Sequence, residues 1–89
     1  MKSFFAEVKV VLREEILDAQ GKAIENSLQS LEFNQLYNVR VGKLITFLLD
    51  ADDHESAYKI VDTVSKKLLA NTIVEDYSIL VNEIIETTK

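Results

Sequence analysis

The chain has no cysteine, no proline, two glycines and one histidine among its 89 residues, and these shortages exclude a good deal. Without cysteine there is neither a disulfide staple nor thiolate chemistry, a composition suited to a reducing cytoplasm. Neither a proline-rich nor a glycine-rich linker divides the chain, so residues 1–89 read as one domain, near the size where an isolated core is marginal. Gly21 and Gly42 cannot form the phosphate cradle of a Walker or dinucleotide fingerprint. The longest apolar run, residues 45–49, is interrupted by Thr46 and falls far short of the ~20 residues that cross a bilayer. The N-terminal stretch carries one lysine and no apolar core with a small-residue cleavage site, so neither a secretory leader nor a membrane partner is expected. Positive charge is scarce too. Ten cations against fifteen acids leave a net charge of −5, and the cations are scattered, so a phosphate backbone would be repelled and no nucleic acid is expected.

What is present is patterning. Residues 4–13 alternate, with Phe4, Ala6, Val8, Val10 and Leu12 on one face and Glu7, Lys9 and Arg13 on the other, as a half-buried strand requires. Asp18 is placed to cap a helix running to about residue 33 that buries Ile24, Leu28 and Leu31 beside Ala23 and Ser27. A second β segment covers residues 36–49, with Val39, Val41, Ile45, Phe47 and Leu49 sharing a face. That parity survives Gly42, which predicts one long bent strand or a bulged, three-residue turn there; Lys43 is the odd position that does not belong inside.

Asp52 with Glu55 forms a capping box for a second helix burying Ala57, Ile60, Val61, Val64 and Leu68, with Asn71 as a left-handed terminator. A last strand over residues 73–81 turns Ile73, Tyr77, Ile79 and Val81 to the core, and residues 82–89 are expected to fray or to contribute to a partner. The order predicts an α+β fold, β-α-β(β)-α-β. Two helices pack on one face of a three- or four-stranded antiparallel sheet, in the style of a split βαβ arrangement. The other sheet face would carry Phe5, Val11, Leu44, Leu48, Val74 and Leu80. So many apolar residues on an open face predict self-association through it, as a dimer or tetramer.

Catalytic chemistry is hard to assemble from these residues. His54 stands among Asp50, Asp52, Asp53 and Glu55, but a calcium loop needs a central glycine, and Tyr58, Ile60 and Val61 occupy its later positions; no metal is expected. The serines have no histidine placed to activate them. Gly21, inside a helix, reads either as close packing of that turn or as backbone exposed to a partner. Arg40 and Lys43 flank Gly42 as a cationic pair, either a solvated strand edge or a protein or anion contact; with Gly21 these are the candidate partner residues. Read from residues alone, this is not an independent enzyme.

Three segments in order resemble the PurS family. They are Leu17-Asp18 with Gln20-Gly21-Lys22-Ala23-Ile24, then Asn38-Val39-Arg40-Val41-Gly42-Lys43, then Leu68-Leu69-Ala70-Asn71 with Glu75-Asp76-Tyr77. Glu14-Glu15, Ala19 and Thr72 stand where that family commonly has proline-glycine, proline and proline, which alters loop stiffness without touching charge. The resemblance implies the small, non-catalytic subunit of phosphoribosylformylglycinamidine synthase, an ATP-dependent C–N ligase complex of purine biosynthesis that uses glutamine as amide donor. It implies a homo-oligomer joining a synthetase subunit (PurL) to a glutaminase subunit (PurQ) and supporting ammonia transfer between them, in the cytoplasm. ATP and Mg would be used by the complex, and no cofactor would be bound by this subunit alone. A reading of another class is a stand-alone regulatory module binding a small ligand at a subunit seam, since folds of this plan host many functions.

Overall fold

Alternating burial along Lys2–Leu12 marks one strand, β1, and its position decides how fully that pattern is used. The computed structural model describes residues 1–85, and in it β1 lies at the centre of a three-stranded antiparallel sheet of order β2-β1-β3. The remaining elements are α1 (Ala19–Ser30), β2 (Gly42–Ala51), α2 (His54–Val64), a π-helical turn (Ser65–Leu69) and β3 (Glu75–Glu83). Flanked on both sides, β1 buries Phe4, Ala6, Val8 and Val10 completely or nearly so, and they form the core with Ala51, Ala57, Val61, Ala70 and Val81. The expected α+β order is present with three strands.

β2 begins at Gly42, and residues 36–41 form a loop instead of the first half of a long strand. Pairing runs without interruption from Val11–Gly42 through Val10–Lys43 to Lys9–Leu44, so there is neither a bulge nor a turn at the glycine. What Gly42 supplies is space: a Cβ there would lie 2.6 Å from Val11 Cγ1 and 2.8 Å from the Val10 carbonyl oxygen. Lys43 keeps its inward parity because this end of the sheet is uncovered, and its ammonium reaches solvent and Glu75 at 3.9 Å.

α2 starts one residue later than the capping box predicts. Pairing of Ala51 with Lys2 carries β2 up to the turn, so the extended residue that caps the helix is Asp53, whose carboxylate accepts from the Ser56 amide at 2.8 Å. The buried stripe is Ala57, Val61 and Ser65; Ile60, Val64 and Leu68 lie outside it. The cause is local. Ser65 Oγ donates to the Val61 carbonyl at 2.7 Å and the Ala70 amide reaches the Ser65 carbonyl at 2.9 Å, an extra-residue turn that swings Leu68 to 81% exposure.

Asn71 is not left-handed. Its side chain accepts from the Ile73 amide and its carbonyl from the Val74 and Glu75 amides. That turn leaves Ile73 exposed, not in the core, and places Val74 before β3 instead of on the sheet. At the other end of β3, Asn82 and Glu83 pair with Phe5 and Phe4, so the expected tail starts later; residues 86–89 lie outside the described residues.

α1 departs most from expectation. Asp18 caps it as predicted, and it closes with a Schellman turn in which Glu32, at φ 70°, donates to the Gln29 carbonyl and Phe33 to the Leu28 carbonyl. Its apolar stripe is uncovered: Gly21 is its buried residue, while Ile24, Ala23, Ser27 and Leu31 are exposed and Leu28 half-exposed. α1 makes no substantial packing contact with a strand or with α2, so α2 alone covers the core face. The protomer is a plate of 52 × 38 × 15 Å with a radius of gyration of 17.4 Å, against roughly 12 Å for a compact chain of this length. Phe4→Ala should cost about 3–5 kcal/mol in urea unfolding, whereas Leu68→Ala should change stability by no more than about 0.5 kcal/mol.

Candidate functional site

The residues singled out around Gly42 meet at the open end of the sheet, organised by an aspartate. Asp18 is 6% exposed and uses both carboxylate oxygens: Oδ1 accepts from the Gly21 amide at 2.9 Å and Oδ2 from the Val41 amide at 2.7 Å. One side chain thereby caps α1 and ties it to the strand-like segment leading into β2. These two amides, assisted by the charge of Arg40, hold the Asp18 carboxyl below the usual carboxylate range. Glu25, one turn along α1, adds a second tie by accepting from the Val39 amide at 3.1 Å.

Arg40 is not a free cation. Its Nη2 donates to the carbonyls of Arg13 at 2.8 Å, Ile16 at 3.1 Å and Leu12 at 3.3 Å, gathering the β1–α1 connection onto the segment before β2. Gly21 is buried against the same segment: a Cβ would meet the Val39 carbonyl at 2.3 Å, so of its two readings the structure shows close packing. Lys43 stays mostly exposed. It joins Gly42, Asp18, Gln20 and Glu75 around a depression of about 260 Å³, smaller than the ~300–1,000 Å³ of ordinary ligand pockets. Sequence reading found Asp18 as a cap and missed it as a hub; the signal available was that cap itself, followed by a glycine three residues on.

His54 lies at the far end of α2, where Nε2 is 2.9 Å from the Val81 carbonyl and the ring meets Phe4 edge-on at 6.2 Å, a packing role. Among the described residues, no three histidine or acidic side chains gather as metal ligands. Tyr77 donates to Asp62 at 2.6 Å, which pushes the phenol up to about 12 and the carboxyl down. This bond pins α2 over β3.

Of the residues proposed for self-association, Phe5, Val11, Leu44, Leu48 and Leu80 are exposed on the open sheet face, and Val74 is off it. They do not form an unbroken patch. Phe5 faces Leu48, but Leu80 is opposite Glu7 and Leu44 opposite Lys9, with Ser78 and Asn82 in the same rows.

A family model described as PurS, phosphoribosylformylglycinamidine (FGAM) synthase, matches residues 5–83. The phosphoribosylformylglycinamidine synthase subunit PurS of Synechocystis sp. is 39% identical over 75 residues, covering 84% of this chain and 75% of that relative. The corresponding subunit of Bacillus subtilis is 37% identical over 78 residues, covering 88% and 92%. Among solved structures, PurLQS from Thermotoga maritima contains a chain matching with a TM-score of 0.83 at 32% identity, covering 94% of this chain and all of that one.

The Asp18 carboxyl titrates below its unfolded value of 3.8, so its stabilisation is complete above that value and is lost as pH falls through the folded value. Asp18→Ala should therefore melt lower than wild type at neutral pH, and the gap should narrow in acid, as calorimetry across pH will register. Gly21→Ala should destabilise by about 1–3 kcal/mol despite the better helix propensity of alanine, because its Cβ collides with backbone.

Proposed function

The chain belongs to the PurS family, and we propose that it is the non-catalytic small subunit of phosphoribosylformylglycinamidine synthase, joining a synthetase to a glutaminase subunit. The observation that carries this reading is the match of nearly the whole fold to a chain of the PurLQS structure, in a protein whose Asp18 and Arg40 side chains are bonded to its own backbone. In this reading the glutaminase releases ammonia from glutamine, and the synthetase spends ATP to convert formylglycinamide ribonucleotide to formylglycinamidine ribonucleotide. The small subunit holds the two sites in register so that ammonia passes without loss to water. ATP and Mg belong to the complex, and this subunit binds no cofactor of its own. It works as a homo-oligomer in the cytoplasm; no described helix is long and apolar enough to cross a membrane. The ligand-module reading has little support at Gly42, where the depression is small and the Asp18 and Arg40 groups beside it are already paired.

Within this role the four residues at the open end divide by chemistry. Arg40 and Gly21 build the platform, and Lys43, with the exposed backbone of Gly42, is the contact offered to a partner subunit.

Purified alone, the protein should neither hydrolyse glutamine nor consume ATP. Added to the synthetase and glutaminase subunits, it should raise glutamine-dependent turnover sharply while leaving ammonium-dependent turnover of the synthetase little changed; equal glutamine-dependent rates without it would remove the bridging role. Lys43→Ala should shift stability by no more than about 0.5 kcal/mol and lower activation, whereas Arg40→Ala should lower the melting temperature, because three carbonyls lose their donor.

A further inference from the structure

Two opposite charges sit at the middle of the outer sheet face with nothing to pair them. Glu7 and Lys9 project from the central strand on either side of Val8, and among the described residues neither forms an ion pair. Strand pairing sorts the residues around them into rows. Leu80 and Thr46 flank Glu7, and Ser78 and Leu44 flank Lys9. Bulk is uneven along the strands: the row of Phe5 also holds Leu48 and Asn82, whereas the row of Val11 holds Gly42 and Asp76.

This pattern is complementary to itself under one operation. A two-fold axis lying across the strands at Val8 turns one sheet over onto another with the strands antiparallel, so that each strand meets its own counterpart. Each Glu7 then comes opposite a Lys9 of the other copy, and each Lys9 opposite a Glu7. The same rotation lays Phe5 on Val11, Leu48 on Gly42 and Leu80 on Ser78, a large side chain against a smaller one each time. An axis along the strands would instead stack Glu7 on Glu7, Lys9 on Lys9 and Phe5 on Phe5. Repulsion and crowding reject that alternative.

We propose that the outer sheet face binds the same face of a second copy about a two-fold axis at Val8, with reciprocal Glu7–Lys9 ion pairs fixing the register. The contact covers Phe5, Val11, Leu44, Leu48 and Leu80, which are exposed in the protomer. Breaks in the apolar patch are what make the register unique: a uniformly apolar sheet could slide on its copy, whereas two charges of opposite sign cannot. Lys43 has the other parity on β2 and stays outside this face. The contact rests on the reading of the chain as a homo-oligomer and names one of its surfaces.

The test is charge reversal on the full chain, read by sedimentation velocity at micromolar concentrations. Glu7→Lys and Lys9→Glu alter side chains that reach the surface, and circular dichroism should show both variants folded. Each alone puts like charges face to face and should weaken association across this face by roughly 100-fold, lowering the weight-average mass. Mixed in equal amounts, the two variants should regain the wild-type mass, because every charge in the mixed pair again faces its opposite. A chain carrying both reversals should associate as wild type does. Single reversals that sediment as wild type overturn the proposal, as does a mixture or a double reversal that fails to recover. Activation of the synthetase by wild type is scored separately. Loss of the bridging role therefore leaves the sedimentation readable, and failure of the charge reversals leaves the bridging role standing.

Discussion

Both oxygens of a nearly buried carboxylate at Asp18, and the guanidinium of Arg40 beside it, hold α1 and the connections around it in place. Three segments converge there: the connection leaving β1, the first turn of α1 and the stretch entering β2. None has an apolar core of its own to hold it. Backbone amides and carbonyls supply the partners, so the geometry is set by hydrogen bonds of fixed length instead of by packing. Gly21 belongs to the same constraint, since the bonds close only if nothing projects from that turn.

From that constraint follows the shape of the protomer. Fastened at its first turns to residues 39–41, α1 extends away from the sheet, and α2 is left to cover the core face alone. The plate is 15 Å thin, which leaves β1 well buried and β2 half-covered. A chain of this size has little surplus stability, and leaving the apolar face of α1 and the half-buried Ile45, Phe47 and Leu49 open would be costly if the protomer lived alone. The architecture makes sense for a subunit.

The chemistry points the same way. Side chains that could act on a substrate are turned inward to structural work: His54 to Val81 and Phe4, Tyr77 to Asp62, Arg40 to three carbonyls. The chain belongs to the PurS family of phosphoribosylformylglycinamidine synthase subunits, and these polar groups serve to keep the shape of the fold.

Local rules made much of this visible in the residues. Alternation in β1 identified its buried face residue by residue, because that strand became the centre of the sheet and both of its neighbours were present. Asp18 was legible as a cap because a capping carboxylate acts within one turn of its own helix. The segments resembling the PurS family were likewise in plain sequence. Elsewhere the period was right and the partner was not. Ile24, Leu28 and Leu31 share a face of α1, yet periodicity states which residues lie together and says nothing of what lies opposite. Ala57 and Val61 are buried as expected, but Ile60 and Val64 are not, and Leu68 lost its place to Ser65 through a π-helical turn whose cause, a serine bonding back to Val61, competes with the helix only after the helix exists. Arg40 read as an outward cation because its acceptors are carbonyls 24 to 28 residues away. The sequence by itself determined the order of elements, the buried face of β1 and the Asp18 cap, which depend on neighbours within a few residues, and the family, which rests on three short segments in order. Tertiary structure alone decided which apolar faces are covered and which charges are free, because both depend on groups the chain brings together only by folding.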